Sequence, residues 1–215
     1  MRPILPVLAM LLAAAPLAAH VRQKQAIADK NVHAVQKLAE NVYCITGEGG
    51  NIGLVVTPKG CVLIDDQFEK LVPGLLEAVK SVTPQPIKYV INTHWHRDHS
   101  VCNFLYDAPA VGHEKTRESM LNAGNDYFLA RLAEIDPVGA PLLADFRLKT
   151  PSITFTERMT LHLGKHAVQL LHFPGHSADQ IGVFVPEERV LFAGDNVVCR
   201  VQALFLDSDP IVWMQ

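Results

Sequence analysis

The sequence lacks a strong excess of charge of either sign. Its 19 lysine and arginine residues face 22 aspartate and glutamate residues, a formal net charge of -3 with the charges scattered along the chain. Nucleic acids and anionic membrane surfaces are bound largely through clustered basic side chains, so we expect no nucleic-acid partner. Internal repeats and heptad patterns are also lacking, which excludes solenoids and coiled coils. A chain of 215 residues, 49% of them hydrophobic, suits one globular domain with a sizeable core.

Cysteine is scarce and is not spaced for metal binding. Cys44, Cys61, Cys102 and Cys199 form no C-x-x-C pair, the spacing typical of zinc sites built from thiolates. We therefore expect buried thiols or one structural disulfide, and the sequence leaves the pairing open.

The one long apolar run lies at the N-terminus. Arg2 is followed by an uncharged stretch from Ile4 to Ala19, which is typical of a secretory signal peptide. The run falls short of the roughly 20 apolar residues of a membrane span. Leu17 makes the cleavage site imperfect, so an uncleaved anchor stays an alternative. We expect residues 1–19 to direct the protein to the periplasm or to secretion, with no stable membrane insertion once they are removed.

Hydrophobic periodicity predicts a mixed α/β domain over residues 41–215. A polar lead at residues 20–40 precedes the domain, and we expect this lead to be helical from residue 21. The predicted strands are 42–46, 52–57, 62–65, 87–91, 110–112, 153–155, 159–163, 167–173, 181–185 and 190–192. The predicted helices are 68–81, 114–122 and 126–135. A last helix starts at Pro210 behind an N-cap at Ser208 or Asp209. Because only five residues follow that start, we expect the domain to be incomplete at its C-terminus.

The strongest chemical signal is the segment from His94 to His99, which directly follows a predicted strand. Alternate residues of an extended segment share a side, so His94 and His96 can chelate one ion. Asp98 and His99 lie where the chain must turn and can supply a second site about 3.5 to 4 Å away. Three histidines and an aspartate are ligands that suit zinc. The segment therefore predicts a metal centre.

This segment resembles the H-x-H-x-D-H motif of the metallo-β-lactamase superfamily. The later Gly175-His176 and Gly194-Asp195 resemble its G-H and G-D motifs, and the likeness runs from about Val42 to Asp195. It implies an αβ/βα four-layer sandwich, in which two mixed sheets pack face to face with helices outside. It also places the metals at one edge, between the sheets.

The resemblance implies two groups of three ligands around two zinc ions. The ligands are His94, His96 and His176 for the first ion, and Asp98, His99 and Asp195 for the second. In the superfamily the equivalent of Asp195 bridges both ions, and the equivalent of Asp98 orients the attacking hydroxide and accepts its proton. The superfamily normally adds a later histidine to the second ion, and this sequence contains none after Asp195.

The implied function is a secreted zinc-dependent hydrolase, in which a metal-bound hydroxide attacks a small-molecule ester, thioester, lactone or lactam. Many secreted lactamases of the superfamily carry cysteine or serine at the position of Asp195, so the aspartate is more similar to thioesterases. Two alternatives stay open. One is a mononuclear iron enzyme similar to the persulfide dioxygenases, and the other is an inactive metal-binding fragment.

The remaining polar residues near the motifs are expected to have supporting roles. Ser100 and Ser177 lack the G-x-S-x-G context of a nucleophile, so we expect them to form hydrogen bonds around the ligands. His113, His162 and His172 lie in or next to strand-like runs, where packing or surface roles are expected.

Overall fold

The computed structural model describes residues 33–135 and 145–214, so the expected signal peptide and most of the polar lead lie outside the described residues. The strands are β1 Ala34–Ala39, β2 Val42–Thr46, β3 Ile52–Thr57, β4 Gly60–Ile64, β5 Ile87–Ile91, β6 Ala110–His113, β7 Ile153–Phe155, β8 Arg158–Leu163, β9 His166–His172, β10 Ile181–Val185 and β11 Val190–Phe192. The α-helices are α1 Val72–Val82, α2 Arg97–Ser100, α3 Glu114–Ile135 and α4 Pro210–Trp213, and 3-10 turns occupy Val101–Leu105 and Gly194–Asn196.

The larger sheet runs in the order β1-β2-β3-β4-β5-β6-β7. Strands β1 to β4 form an antiparallel meander, and β4 to β7 are parallel. The turn into β4 uses Gly60, whose φ of 122° is favourable only for glycine. Parallel neighbours need a long crossover, and α1 supplies it between β4 and β5.

The smaller sheet is antiparallel in the order β11-β10-β9-β8 and faces the larger one. Val62 and Ile91 from the larger sheet and Leu170, Ile181 and Val183 from the smaller one belong to a single core cluster, and all five are at most 1% exposed. This cluster holds the two sheets together, because burying apolar surface is the main favourable contribution to folding.

A second core lies on the other face of the larger sheet, under the helices. Leu75 of α1 and Phe128 of α3 pack in one cluster with Leu54 and Leu63 of the sheet. Strand β4 is buried at all five positions because both of its faces are covered. The expected α/β sandwich of two sheets and flanking helices is confirmed.

The expectation of a helical lead is wrong for residues 34–39, which form strand β1. Ala34 pairs with Thr46, and the antiparallel pairing runs to Ala39 and Val42 with a shift in register between Lys37 and Ala39. Pairing with a neighbouring strand overrides a weak local helical preference here, since propensity is only a weak guide against tertiary context.

The two helices expected at 114–122 and 126–135 form one element, α3, with a break between them. Gly124 interrupts the helix with φ 75° and ψ 169°.

All four cysteines lie in the described part of the chain and are free thiols, so the alternative of a structural disulfide is wrong in this structure. Among the described residues, no helix combines the length and apolarity needed to cross a bilayer.

A stacked pair of histidines joins the two sheets beside β6 and β9. The rings of His113 and His172 lie 3.9 Å apart with an interplanar angle of 15°. The Nε2–H group of His113 donates to the Thr156 carbonyl at 2.6 Å, and its Nδ1 accepts the backbone N–H of Lys115 at 3.1 Å. Both nitrogens are satisfied only in the neutral ring. Burial, reinforced by His172, lowers the pKa of His113.

This pair predicts a loss of stability in acid. The unfolded chain binds a proton at His113 near pH 6.5, while the folded chain binds it only at lower pH. The contribution of the neutral ring is therefore complete above about pH 6.5 and is lost as pH falls through the lowered pKa. We expect His113→Gln to flatten the dependence of the melting temperature on pH between about 7 and 5, measured by scanning calorimetry on metal-free protein. Parallel curves for the variant and the parent protein would contradict this assignment.

Candidate metal centre

The predicted ligands come together where strands of both sheets end. The segment from His94 to His99 follows β5, His176 follows β9 and Asp195 follows β11. The backbone N–H of Ile181, at the start of β10, donates to the Thr93 carbonyl at 2.8 Å. This hydrogen bond ties the segment that leaves β5 to the smaller sheet, so residues distant in sequence meet at one edge.

Three imidazoles converge on one point. His96 Nδ1 lies 3.0 Å from His94 Nε2 and 3.0 Å from His176 Nε2. A zinc ion with three nitrogens at 2.0–2.1 Å in tetrahedral geometry holds them roughly 3.3 Å apart. The spacing of these nitrogens is therefore close to that of a three-histidine metal site, and His94, His96 and His176 form a group able to hold an ion.

In each imidazole, one nitrogen points away from the other two rings. The hydrogen-bond partner of that outer nitrogen determines which nitrogen carries the proton. His176 Nδ1 faces the Leu204 carbonyl at 3.1 Å, and His96 Nε2 faces the Asp207 carboxylate at 2.8 Å. His94 Nδ1 lies 3.1 Å from the Thr93 hydroxyl, whose own hydrogen is donated to Asp65. Each neutral ring therefore carries its N–H on the outside and turns a lone pair inward. Three lone pairs pointing at one another repel unless a cation lies between them, which is the donor arrangement that a metal requires.

Next to these rings, His99 and two carboxylates form a second cluster. His99 Nδ1 contacts Asp65 Oδ2 at 2.8 Å, which leaves Nε2 directed into the site. That Nε2 is buried without a hydrogen-bond partner among the described residues, and it lies 3.5 Å from both Asp98 Oδ2 and Asp195 Oδ1. A buried nitrogen without a partner is costly, so this position also fits a bound cation.

His94 also lies close to this second cluster. The potential ligand atoms of His94, His99 and Asp195 all lie within 4.8 Å of one another. His94 therefore belongs to both groups of potential ligands. Asp98 lies beside this group rather than within a set of three, and its Oδ2 accepts the backbone N–H of Gly50 at 3.0 Å. A Cβ atom on Gly50 would lie 2.6 Å from His99 Cε1, so only glycine lets the backbone approach the site this closely.

The electrostatics of the site keep the rings of His94 and His176 able to bind metal. Burial lowers the pKa of His94 well below its usual value, and the neighbouring histidines reinforce the effect. Burial, followed by His96, also lowers the pKa of His176. Burial alone would raise the pKa of Asp98, but the adjacent His99 and the Gly50 N–H hold it below its usual range. Asp98 is therefore an ionised carboxylate at neutral pH.

Sequence reasoning assigned no role to two residues that support the site. Asp65, 2% exposed, accepts hydrogen bonds from Thr93 and orients His99. Its φ of 67° is uncommon for a residue with a side chain. Its place at the end of β4 was visible in the sequence and is part of the superfamily resemblance, which gave Asp65 no role at the metals. Asp207, which contacts His96, lies in a segment without any motif.

The Asp207 contact predicts an effect on metal affinity. A carboxylate that accepts the outer N–H of a metal-binding histidine fixes the ring and increases its basicity, and removing such a partner costs about 10- to 100-fold in metal affinity. We expect Asp207→Asn to weaken zinc binding by that factor, measured by competition with a chromophoric chelator. The matched control is Asp107→Asn, which changes an exposed aspartate outside the site. Equal zinc affinity in Asp207→Asn and the parent protein would contradict a role for the carboxylate.

Other side chains of the motifs support the scaffold. The Ser100 hydroxyl donates to the carbonyls of Trp95 and His96, as expected. Ser177 is buried, and its hydroxyl has no hydrogen-bond partner among the described residues, so its expected hydrogen-bonding role is not seen. The Arg97 guanidinium lies 4.5 Å from the centre of the Phe68 ring, a cation–π contact.

Comparison with known proteins agrees with the geometry. Residues 45–207 match the model of the metallo-beta-lactamase superfamily, and the chain belongs to that superfamily. Among solved structures, it is similar to a metallo-beta-lactamase from Pontibacter korlensis, with a TM-score of 0.62 and 24% sequence identity. The match covers 84% of this chain and 81% of that one. At this identity the likeness establishes the fold.

Curated relatives include two proteins named as thioesterases. The acyl-coenzyme A thioesterase MBLAC2 of Homo sapiens is 26% identical over 187 residues, which cover 77% of this chain and 66% of the relative. The atrochrysone carboxyl ACP thioesterase of Claviceps purpurea (strain 20.1) is 25% identical over 164 residues, which cover 75% of this chain and 44% of the relative. The chain thus spans two thirds or less of the length of these relatives.

Proposed function

We propose that this protein is a zinc-dependent hydrolase whose substrate is a small thioester. The observation that carries the proposal is the convergence of three inward-facing imidazole lone pairs beside an ionised aspartate. Nitrogen-rich ligand sets of this kind suit zinc. The superfamily relationship supports hydrolysis as the reaction class.

In this proposal His94, His96 and His176 hold the first zinc ion, and Asp98, His99 and Asp195 hold the second. A zinc ion, when bound, would supply Lewis acidity and would lower the pKa of a coordinated water to about 7. Each ligand group is held from outside: Asp207 and Leu204 fix rings of the first, and Asp65 fixes His99.

The role of Asp98 in this proposal is proton transfer at its Oδ2 atom. The Gly50 N–H fixes that oxygen 3.5 Å from His99 Nε2, inside the site. A carboxylate that is ionised and held in place can accept a proton from the attacking water and later deliver it to the leaving group. A thiolate leaving group needs little assistance because thiols have a pKa near 8.5.

The thioester class rests on two supports. One similar protein is named acyl-coenzyme A thioesterase and another is named atrochrysone carboxyl ACP thioesterase. The second support is Asp195 itself, since the resemblance associates an aspartate here with thioesterases rather than with lactamases. Lactone and lactam hydrolysis are the competing substrate classes.

The test is a substrate panel with zinc-loaded protein. We expect hydrolysis of S-butyryl-N-acetylcysteamine, monitored by thiol release, to exceed hydrolysis of γ-butyrolactone and benzylpenicillin. We also expect a chelator to abolish it and added zinc to restore it. Zinc-loaded protein that hydrolyses none of the three compounds would overturn the proposed function.

One observation favours a second candidate. His94, His99 and Asp195 supply two imidazoles and one carboxylate, a donor set that mononuclear iron oxygenases also use. Under this alternative the chain is an iron enzyme similar to the persulfide dioxygenases. Oxygen consumption with glutathione persulfide by iron-loaded protein, together with no thioester hydrolysis by the zinc form, would favour it.

We also propose that the protein is exported. The support is the apolar run from Ile4 to Ala19 behind Arg2. Fusion of residues 1–30 to a reporter that is active only outside the cytoplasm tests this, and reporter activity no higher than that of the unfused reporter would contradict it.

A further inference from the structure

A second polar cluster joins the two sheets at the end of the sandwich away from the candidate metal centre. It consists of Asn41 in the turn between β1 and β2, His166 at the start of β9 and Glu188 in the turn before β11. The ligands His176 and Asp195 follow the other ends of β9 and β11. Strand β9 has 7 residues, and at about 3.3 Å per residue it separates the two clusters by roughly 20 Å. We call Asn41, His166 and Glu188 the turn triad.

Three side-chain atoms of the turn triad form a nearly equilateral triangle. Asn41 Nδ2 lies 3.2 Å from His166 Nε2 and 3.2 Å from Glu188 Oε1, and those two atoms lie 3.3 Å apart. Ligand atoms at about 2.0–2.1 Å from a tetrahedral zinc ion are separated by roughly 3.3 Å. The triangle therefore has the size of one face of a zinc-coordination tetrahedron.

Hydrogen bonding alone cannot satisfy all three contacts around an ionised Glu188. If His166 Nε2 is unprotonated, the Asn41 amide can donate one hydrogen to it and one to Glu188, but the ring lone pair then faces the carboxylate at 3.3 Å. If Nε2 carries the proton, it donates to Glu188 but faces the amide N–H group. Rotation of the amide by 180° exchanges its nitrogen and oxygen, which removes that clash but turns the amide oxygen toward the carboxylate. One of the three contacts is repulsive in each arrangement.

A cation at the centre of the triangle removes this repulsion. The His166 Nε2 lone pair, Glu188 Oε1 and, after rotation of the amide, Asn41 Oδ1 would all point at the ion. His166 Nδ1 has no hydrogen-bond partner among the described residues, so no contact on the far side of the ring holds the proton on Nε2. The donor set is then one imidazole and two oxygens.

The burial of Glu188 also favours a cation here. Its side chain is only 8% exposed, and Oε2 is buried without a hydrogen-bond partner among the described residues. In the described part of the chain, the carboxylate forms an ion pair with His166 and with no lysine or arginine. Burying a carboxylate is costly unless its charge is compensated. A divalent ion supplies the compensation that the surrounding side chains do not.

We propose that the turn triad binds one divalent transition-metal ion, such as zinc, through His166 Nε2, a Glu188 carboxylate oxygen and the Asn41 amide oxygen. Asn41 is only partly buried, so water can fill the fourth position. Asn41 belongs to the larger sheet, and the other two ligands belong to the smaller one. The ion therefore clamps the two sheets together, which is a structural role separate from the proposed reaction.

The turn triad binds zinc more weakly than the candidate metal centre. A neutral amide oxygen is a poorer zinc ligand than an imidazole, and the triad contains one imidazole where the first ligand group contains three. We therefore expect dialysis against metal-free buffer to empty the triad while the candidate metal centre keeps its ions. The triad fills only when free zinc is present.

Zinc content at controlled free zinc tests the site. The protein is dialysed to equilibrium against a series of free zinc concentrations, and bound zinc is measured by mass spectrometry. We expect the parent protein to bind one more zinc ion per chain than Glu188→Gln, because loss of a ligand weakens binding by about 100-fold or more. The matched control is Glu157→Gln, at an exposed glutamate outside the triad, which should keep the zinc content of the parent protein. Equal zinc content in the parent protein and folded Glu188→Gln throughout the series would overturn the site.

A second variant, Asn41→Asp, separates metal binding from hydrogen bonding and does not depend on the folding of Glu188→Gln. Without metal, the new carboxylate lies beside Glu188 and repels it, so we expect a lower melting temperature than that of the parent protein. With free zinc, the added charge should tighten binding at the triad by about tenfold or more. The melting temperature should then equal or exceed that of the parent protein at the same free zinc. A melting temperature that stays below the parent value with zinc, together with unchanged zinc affinity, would show that the triad is only a hydrogen-bonded group.

Turnover distinguishes this site from the proposed function. Because the turn triad lies roughly 20 Å from the reaction site along β9, we expect Glu188→Gln to hydrolyse the thioester at the parent rate. An extra zinc ion that Glu188→Gln removes, in a protein that hydrolyses no thioester, would support the triad and contradict the proposed function. A folded Glu188→Gln protein that keeps the zinc of the candidate metal centre but loses hydrolysis would contradict a purely structural role for the triad.

Discussion

Replacing His96 with alanine is expected to remove the first metal and nearly all hydrolytic activity. Its Nδ1 is 3.0 Å from the Nε2 atoms of both His94 and His176, so it is central to the three-nitrogen group. Loss of an outer partner of a ligand costs about 10- to 100-fold in metal affinity, and loss of the ligand itself should cost more than 100-fold. Elemental analysis after dialysis and kcat/KM on a thioester are the two measurements.

The control for this substitution is His162→Ala, which removes an exposed histidine of β8. The control should keep the metal content and the rate of the parent protein. Because His96 is only partly buried, circular dichroism of His96→Ala should match that of the parent protein. A folded His96→Ala protein with full metal content and full activity would contradict the assignment of the first site.

Asp98→Asn is expected to reduce turnover while sparing the fold. Asparagine has nearly the same shape and can still accept the Gly50 N–H, but it cannot take up a proton. Positioned proton transfer contributes about 10²- to 10⁴-fold to rate, so we expect a fall in kcat of that size, measured at pH 7 on the thioester. First-site metal content should be retained, because Asp98 lies outside the three-histidine group.

The lowered pKa of Asp98 determines the pH range in which its proton-transfer role can be tested. The carboxylate of the parent protein has a lowered pKa, so it is ionised across the ordinary assay range and limits activity only in strong acid. Asp107→Asn, at an exposed position, serves as the matched control. An Asp98→Asn protein that keeps its metal and hydrolyses at the parent rate would exclude proton transfer through this residue.

The sequence was informative where chemistry depends on local spacing. His94, His96, Asp98 and His99 fall within six residues after a strand, so their proximity follows from the chain itself. The late His176 and Asp195 could be placed only through the superfamily resemblance, because nothing in their own neighbourhoods identifies a ligand. The structure brings both to the site at the ends of β9 and β11. Strand positions were likewise predictable because alternation and turn residues are local features.

Features that depend on tertiary contacts could not be predicted. Strand β1 forms because β2 offers it a pairing edge, and the local sequence carries no sign of that edge. Asp207 reaches His96 across 111 positions of sequence, a contact that only the returning C-terminal segment creates. The place of His94 between the two ligand groups was also not predictable, since it lies within 4.8 Å of His99 and Asp195 as well as of His96 and His176. Such proximity depends on side-chain packing, which motif spacing does not specify.

The central claim is that this edge of the two sheets is a zinc centre, and metal content tests it most directly. The purified protein, expressed with zinc and iron both supplied, is dialysed and analysed by inductively coupled plasma mass spectrometry. We expect close to two zinc ions per chain and little iron, with one of the two lost in His96→Ala. One iron per chain would favour the oxygenase alternative. A folded protein without bound metal, which takes up none when zinc is added, would contradict the metal centre and the proposed hydrolase.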